Sequence, residues 1–197
     1  VEMDAALALR SQINEALAAA GGGKVSVNDL VVKATARALR AHPLLNVSWD
    51  DGARIRHDRI HIGVAVSLDD GLITVTAPDV DVRPLGEVAA DIAGKAQRAR
   101  EGRLTSDDMA YPSTFTVSNL GMYGVESFTA IINPPEACIL AVGGAIATPV
   151  VRDGAVVVRQ VMKVTLSADH RVVDGASAAA FLVTFKQLLE QPLGMLV

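Results

Sequence analysis

Cysteine is almost missing from this sequence. Cys138 stands alone among 197 residues, so no intrachain disulfide can form, which fits a reducing compartment. Basic clusters are missing too. Eighteen Lys and Arg face 22 Asp and Glu, for a formal net charge of −4, and no block of like charge stands out. Phosphate backbones call for a concentrated basic face, so no nucleic-acid partner is expected. An anionic membrane surface is disfavoured for the same reason. The most apolar run, 137–151, is interrupted by Gly143, Gly144 and Pro149 and falls short of the roughly 20 residues that span a bilayer. Histidine is scarce, and no second His or Cys lies at ligand spacing from His170, so no metal is expected. What the chain does have is 50% hydrophobic and 20% charged residues, the balance of one globular domain.

Local patterns divide the chain into elements. Asp4 is the expected cap of a first helix, with Leu9, Ile13 and Leu17 on one stripe and Gly21-Gly22-Gly23 at its end. Ser26 and Asp29 have capping-box spacing for a second helix, which runs through Leu30, Ala34 and Ala38 and stops before Pro43. Residues 46–49 and 53–56, joined by Asp50-Asp51-Gly52, predict a hairpin. Ile60, Ile62, Val64 and Val66 alternate as a strand with one buried face, and Asp69-Asp70-Gly71 turns it into 72–77. A third helix follows Pro84. Short strands are predicted over 114–118, 138–142, 148–152, 155–160 and 161–167, and a last helix carries Phe181, Phe185 and Leu189 to Pro192. Helices and strands mix without a βαβ rhythm. The fold class predicted is α+β, a sandwich of helices on a mixed, mainly antiparallel sheet.

Three of the four histidines, His42, His57 and His61, have contexts of packing or surface; the last two are expected on strands. His170 differs, since it lies in Ser167-Ala168-Asp169-His170-Arg171-Val172-Val173-Asp174-Gly175, where a strand ends and a helix begins. An imidazole held there suits proton transfer near neutral pH. Asp174 either buttresses that site, neutralises Arg171, or caps the last helix. Ser118, at the end of the 114–118 strand, lacks the Gly-x-Ser-x-Gly elbow of a hydrolase nucleophile. Its hydroxyl suits an oxyanion donor or an ordinary strand-end role. Cys138, inside an apolar run, is read as a buried inert thiol.

Taken together, Asp169-His170-Arg171-Val172-Val173-Asp174-Gly175, Phe115-Thr116-Val117-Ser118-Asn119-Leu120-Gly121 and the run 127–137 through Asn133-Pro134-Pro135 resemble the dihydrolipoamide acyltransferase family. These are the acyl-transferring components of 2-oxo-acid dehydrogenase complexes. The order agrees, with 52 positions between Ser118 and His170 (170 − 118), and the resemblance extends from the first helix to the C-terminus. It implies a chloramphenicol-acetyltransferase-like fold. It also implies His170 as general base on the thiol of coenzyme A or dihydrolipoamide, Ser118 as oxyanion donor and Asp174 as support of the His170 loop. Coenzyme A is the implied substrate, and the lipoyl group would ride on a separate upstream domain. Implied partners are a homotrimer built into a 24- or 60-subunit core, with Ser118 and His170 supplied by different chains. The dehydrogenase and dihydrolipoamide dehydrogenase subunits would attach through domains absent here. Residues 1–197 are read as the catalytic domain, lacking the family's Arg-containing first segment; lipoyl and peripheral-subunit-binding domains are expected before Val1. Tyr111-Pro112-Ser113 stand where the family often has two glycines. The implied location is the cytoplasm, or the mitochondrial matrix of a eukaryote. Ser118 to Gly124 look most like acetyl-transferring, pyruvate-type members, with branched-chain enzymes close behind and succinyl enzymes further off. Two other readings stay open: a coenzyme A-dependent acyltransferase of the same fold acting on a small molecule, and a non-catalytic scaffold core.

Overall fold

The computed structural model describes residues 1–196. Helix α1 (Asp4–Ala19) leads to α2 (Val27–Ala41), and a small hairpin follows, β1 (Val47–Asp50) with β2 (Ala53–Arg56). Strands β3 (Ile62–Leu68) and β4 (Gly71–Ala77) precede α3 (Leu85–Arg100). Then come β5 (Phe115–Asn119), β6 (Cys138–Arg152), β7 (Ala155–Ala168) and α4 (Gly175–Glu190).

Local chemistry explains most of the boundaries. The capping box at α2 is complete: Ser26 Oγ accepts from the Asp29 amide, and the Asp29 carboxylate accepts from the Ser26 amide at 2.7 Å. Helix α1 departs from expectation. Asp4 lies inside its first turn, Met3 occupies the cap position, and the Asp4 carboxylate accepts from the Gln160 amide instead. The β1–β2 turn places Asp51 and Gly52 at positive φ, the combination a tight two-residue hairpin requires.

The main sheet has the order β4-β3-β5-β6-β7. The two outer pairings, β3–β4 and β6–β7, are antiparallel and long; the inner pairings, β3–β5 and β5–β6, are parallel and short. Helices cover one face. Ile62, Val64, Val66, Phe115, Val117, Cys138, Leu140 and Val142 are buried with Phe181 and Phe185 of α4 and with α2 and α3. By strand alternation Gly63, Thr74, Thr76, Thr116 and Ser118 lie on the other face. A Cβ built on Gly63 would meet Thr74 and Thr116 side chains at 2.7 and 2.8 Å, so these groups do share that side.

The late strands are longer than the sequence pattern suggests. That pattern separates 138–142 from 148–152 and 155–160 from 161–167, yet each pair is one continuous strand. Gly143 and Gly144 do not end β6. They form a bulge between Val142 and Ala145, after which pairing with β7 resumes. Pro149 is tolerated because β6 there has β7 on one side only. Beyond the bulge the hairpin leaves Val151, Val156 and Val158 exposed.

Candidate active site

The His170 turn is built from three anchors. Asp169 N–H donates to the Ala137 carbonyl at 2.8 Å, tying the turn to the start of β6. Val173 is buried in the core, and the Val173 amide donates back to the Asp169 carbonyl. Asp174 caps α4, its carboxylate accepting from Ser177 N–H at 2.8 Å and from the Ser177 hydroxyl at 3.0 Å. Those bonds hold the Asp174 carboxyl below the usual range. Capping, one of the open readings of Asp174, is what this side chain does. It does not pair with Arg171, whose guanidinium instead forks onto the Asp169 carboxylate, at 2.6 to 3.0 Å, and holds it ionised. His170 itself is exposed between these two partners.

Ser118 is half-buried near the end of β5. The turn after it is tightly built. Asn119 Oδ1 accepts from Gly121 N–H at 2.9 Å, while its amide nitrogen donates to Asn28 Oδ1 of α2 at 3.1 Å. Leu120 N–H donates to the Val142 carbonyl, so this turn packs on the β6 bulge.

One chain does not bring Ser118 and His170 together. Ser118 pairs with Ala141, and Ala141 with Thr165. Two strand spacings therefore separate Ser118 from Thr165, roughly 10 Å. From Thr165 to Ala168, the last residue of β7, is about another 10 Å, and His170 lies beyond it. A general base and an oxyanion donor serving one thioester must each come within about 3 Å of its reacting atoms, which a gap of this size prevents. The physical reason is strand direction: β5 and β7 run oppositely, so their C-terminal ends point to opposite edges of the sheet.

A second polar cluster escaped the sequence reading. A cavity of about 730 Å³ is lined by Ser48, His57, His61, Tyr111, Ser113 and Glu136 among others, and it includes none of Ser118, His170 and Asp174. Glu136 is 4% exposed and accepts from the Ser113 hydroxyl, from Thr116 Oγ1 at 2.7 Å and from Asn133 Nδ2 at 3.5 Å. Burial still raises its carboxyl above the ordinary value. His57 and His61 are in loops beside strands rather than on them. His57 pairs with Ser48 at 2.6 Å, and His61 Nδ1 accepts from Asp79 N–H at 3.1 Å; burial lowers both imidazoles. His42 closes α2 and meets Thr184 Oγ1. The one available signal was Glu136 itself, a lone charge entering an apolar run. Cys138 is fully buried and its thiol is pushed up to about 12, as an inert core residue should be. Among the described residues no cluster of three His, Cys, Asp or Glu is placed to hold a metal ion, and no helix is long and apolar enough to cross a membrane.

Residues 1–197 match the 2-oxoacid dehydrogenases acyltransferase (catalytic domain) family. The chain belongs to that family. It is 45% identical over 196 residues to the dihydrolipoyllysine-residue acetyltransferase component of the pyruvate dehydrogenase complex of Zymomonas mobilis, covering 100% of this chain and 44% of that protein. The mitochondrial counterpart of Caenorhabditis elegans is 44% identical over 203 residues, covering 100% of this chain and 40% of that protein. The chain thus spans less than half the length of these relatives. Among solved structures, the cubic core of a pyruvate dehydrogenase multienzyme complex superposes with a TM-score of 0.93 at 37% identity, covering 100% of this chain and 81% of that one. A dihydrolipoamide acetyltransferase of Azotobacter vinelandii, investigated for the roles of a serine, a histidine and an asparagine in its catalysis, gives 0.92 at 37%, with the same coverage. A chloramphenicol acetyltransferase shares the α+β fold, with a TM-score of 0.57 at 21% identity over 89% of this chain and 81% of that one.

Proposed function

We propose that this family member transfers an acyl group, by preference acetyl, between the thiols of dihydrolipoamide and coenzyme A. One observation carries the reading. In the Azotobacter protein the serine and histidine under study are 52 positions apart and the asparagine follows the histidine by four. Ser118, His170 and Asp174 have the same two spacings, with Asp in place of Asn. His170 takes the proton from the attacking thiol, and the thiolate adds to the thioester carbonyl. The Ser118 hydroxyl donates to the oxyanion. As the tetrahedral centre collapses, the other thiolate leaves and takes the proton back from His170. No acyl-enzyme forms.

The separation of Ser118 and His170 within one chain supports a site shared between subunits of a homotrimer, itself part of a 24- or 60-subunit core. Lipoyl and subunit-binding domains outside this chain would deliver the acyl group and dock the dehydrogenase and dihydrolipoamide dehydrogenase subunits. The setting is the cytoplasm or the mitochondrial matrix.

The test is transfer from acetyl-, isobutyryl- and succinyl-coenzyme A to dihydrolipoamide by the assembled protein. His170→Ala should abolish transfer, and Ser118→Ala should lower kcat by about 10²–10³, the usual effect of losing one oxyanion donor. Neither loss should return in homogeneous assemblies. Co-assembled Ser118→Ala and His170→Ala subunits should regain activity, because some interfaces then pair an intact serine with an intact histidine. Absence of regain in verified mixed assemblies would refute the shared site; transfer by His170→Ala would refute the mechanism.

A further inference from the structure

The His170 turn carries a side-chain clamp that the transfer mechanism does not use. Arg171 lies over the indole of Trp49, its guanidinium carbon 4.9 Å from the ring centroid. The other side of the clamp is Asp169, whose carboxylate accepts from Arg171 Nε, from its Nη2 and from its backbone N–H at 3.0 Å. Residues on both sides of His170 are thus locked to each other and to β1. The Arg171 side chain is 61% exposed, so the ion pair alone is weak, and a flat aromatic support matters more there.

Trp49 is itself rigidly placed. It is the chain's single tryptophan, half-buried in β1. Its backbone N–H donates to the Pro135 carbonyl at 3.0 Å, and Ala137 N–H donates to the Val47 carbonyl at 3.1 Å. The Ala137 carbonyl in turn accepts from Asp169 N–H. The hairpin, the 135–137 segment and the His170 turn therefore form one backbone ladder, with the indole and guanidinium spanning it.

We propose that Trp49 is a positioning residue for the catalytic turn: its indole face, through Arg171, holds residues 169–171 in the one conformation that presents His170 to the reacting thiol. This rests on the assignment of His170 as base. The planar guanidinium suits both tasks at once, since its edge serves the carboxylate and its face the ring.

The experiment uses the assembled acyltransferase, with assembly size and melting point checked for each variant. Trp49→Ala should lower kcat about two- to fivefold, the order expected for losing an exposed cation–π support, with KM for coenzyme A changed less than about twofold. Trp49→Phe should restore most of the rate. Arg171→Met should lower kcat at least as much as Trp49→Ala, since it also frees Asp169, and the double variant should be no slower than Arg171→Met, because Trp49 acts only through Arg171. Normal kcat in Trp49→Ala, equal losses in the Phe and Ala variants, or additive losses in the double variant would each overturn the proposal. His170→Ala serves as the reference. If it is inactive while Trp49→Ala is normal, the clamp fails and the mechanism stands; if it is active, the mechanism fails first.

Discussion

Gly143→Ala is the sharpest packing test in this molecule. A Cβ at Gly143 would fall far inside van der Waals contact with the Glu126 carbonyl oxygen and 2.7 Å from its carbon. Gly121, in the turn after Ser118, faces the same crossing, where a Cβ would meet the Gly143 carbonyl oxygen at 2.8 Å. These obstacles are backbone, so no rotamer change relieves them; the β6 bulge and the segment 121–126 must move apart. Overpacking of this kind costs about 3 kcal/mol, at the upper end for one added carbon. Alanine restricts the unfolded chain and returns up to about 1 kcal/mol. The net loss is about 2 kcal/mol, a fall of roughly 4–8 °C in Tm for a domain of this size. Thermal unfolding should be followed at fixed protein concentration, since assembly couples to stability. Gly86→Ala is the control. It lies in α3, where an added methyl would have nothing within 4 Å, and it should stabilise slightly. The same Gly143→Ala protein should transfer acyl groups slowly, because the displaced segment continues directly from Ser118. An unshifted Tm with normal transfer would refute the close-approach argument.

Two further outcomes follow from buried ionisable groups. Burial raises the Glu136 carboxyl above its ordinary 4.5, so the native state binds that proton more tightly than the unfolded chain, and ionisation destabilises the fold as pH rises through that value. Glu136→Gln removes this dependence: urea unfolding should show its stability relative to the parent growing as pH rises through that window, then levelling. A difference that is flat with pH, or that shrinks, would contradict the assignment. For Cys138, with its thiol at about 12, a thiolate-selective reagent at about pH 8 should label only unfolded protein; stoichiometric labelling of the native assembly would contradict its burial.

The origin of each success and failure in reading the sequence is local against long-range information. Ser26 and Asp29 specify a helix start through contacts three residues apart, so the α2 boundary was legible. Asp51-Gly52 specified a turn through the φ values those residues tolerate. Gly143-Gly144 looked like a strand end because a bulge and a break have the same local composition; only the β7 partner makes the difference. Asp4 looked like a cap because nothing nearby in sequence announces its bond to Gln160, 156 residues away.

The same division holds at the site. The sequence by itself determined the residue types and spacings of Ser118, His170 and Asp174, and with them the family, because those are properties of order along a chain. It also determined the one-sided helix and strand patterns that bury a single core. Tertiary structure decided where those residues lie relative to one another. Opposed strand directions carry Ser118 and His170 to different edges of one sheet, Arg171 turns to Asp169 and Trp49 rather than Asp174, and Glu136 gathers Ser113 and Thr116 from β5 and the residues leading into it. Strand order, strand direction and contacts between segments far apart in sequence decide these placements, and local composition does not record them.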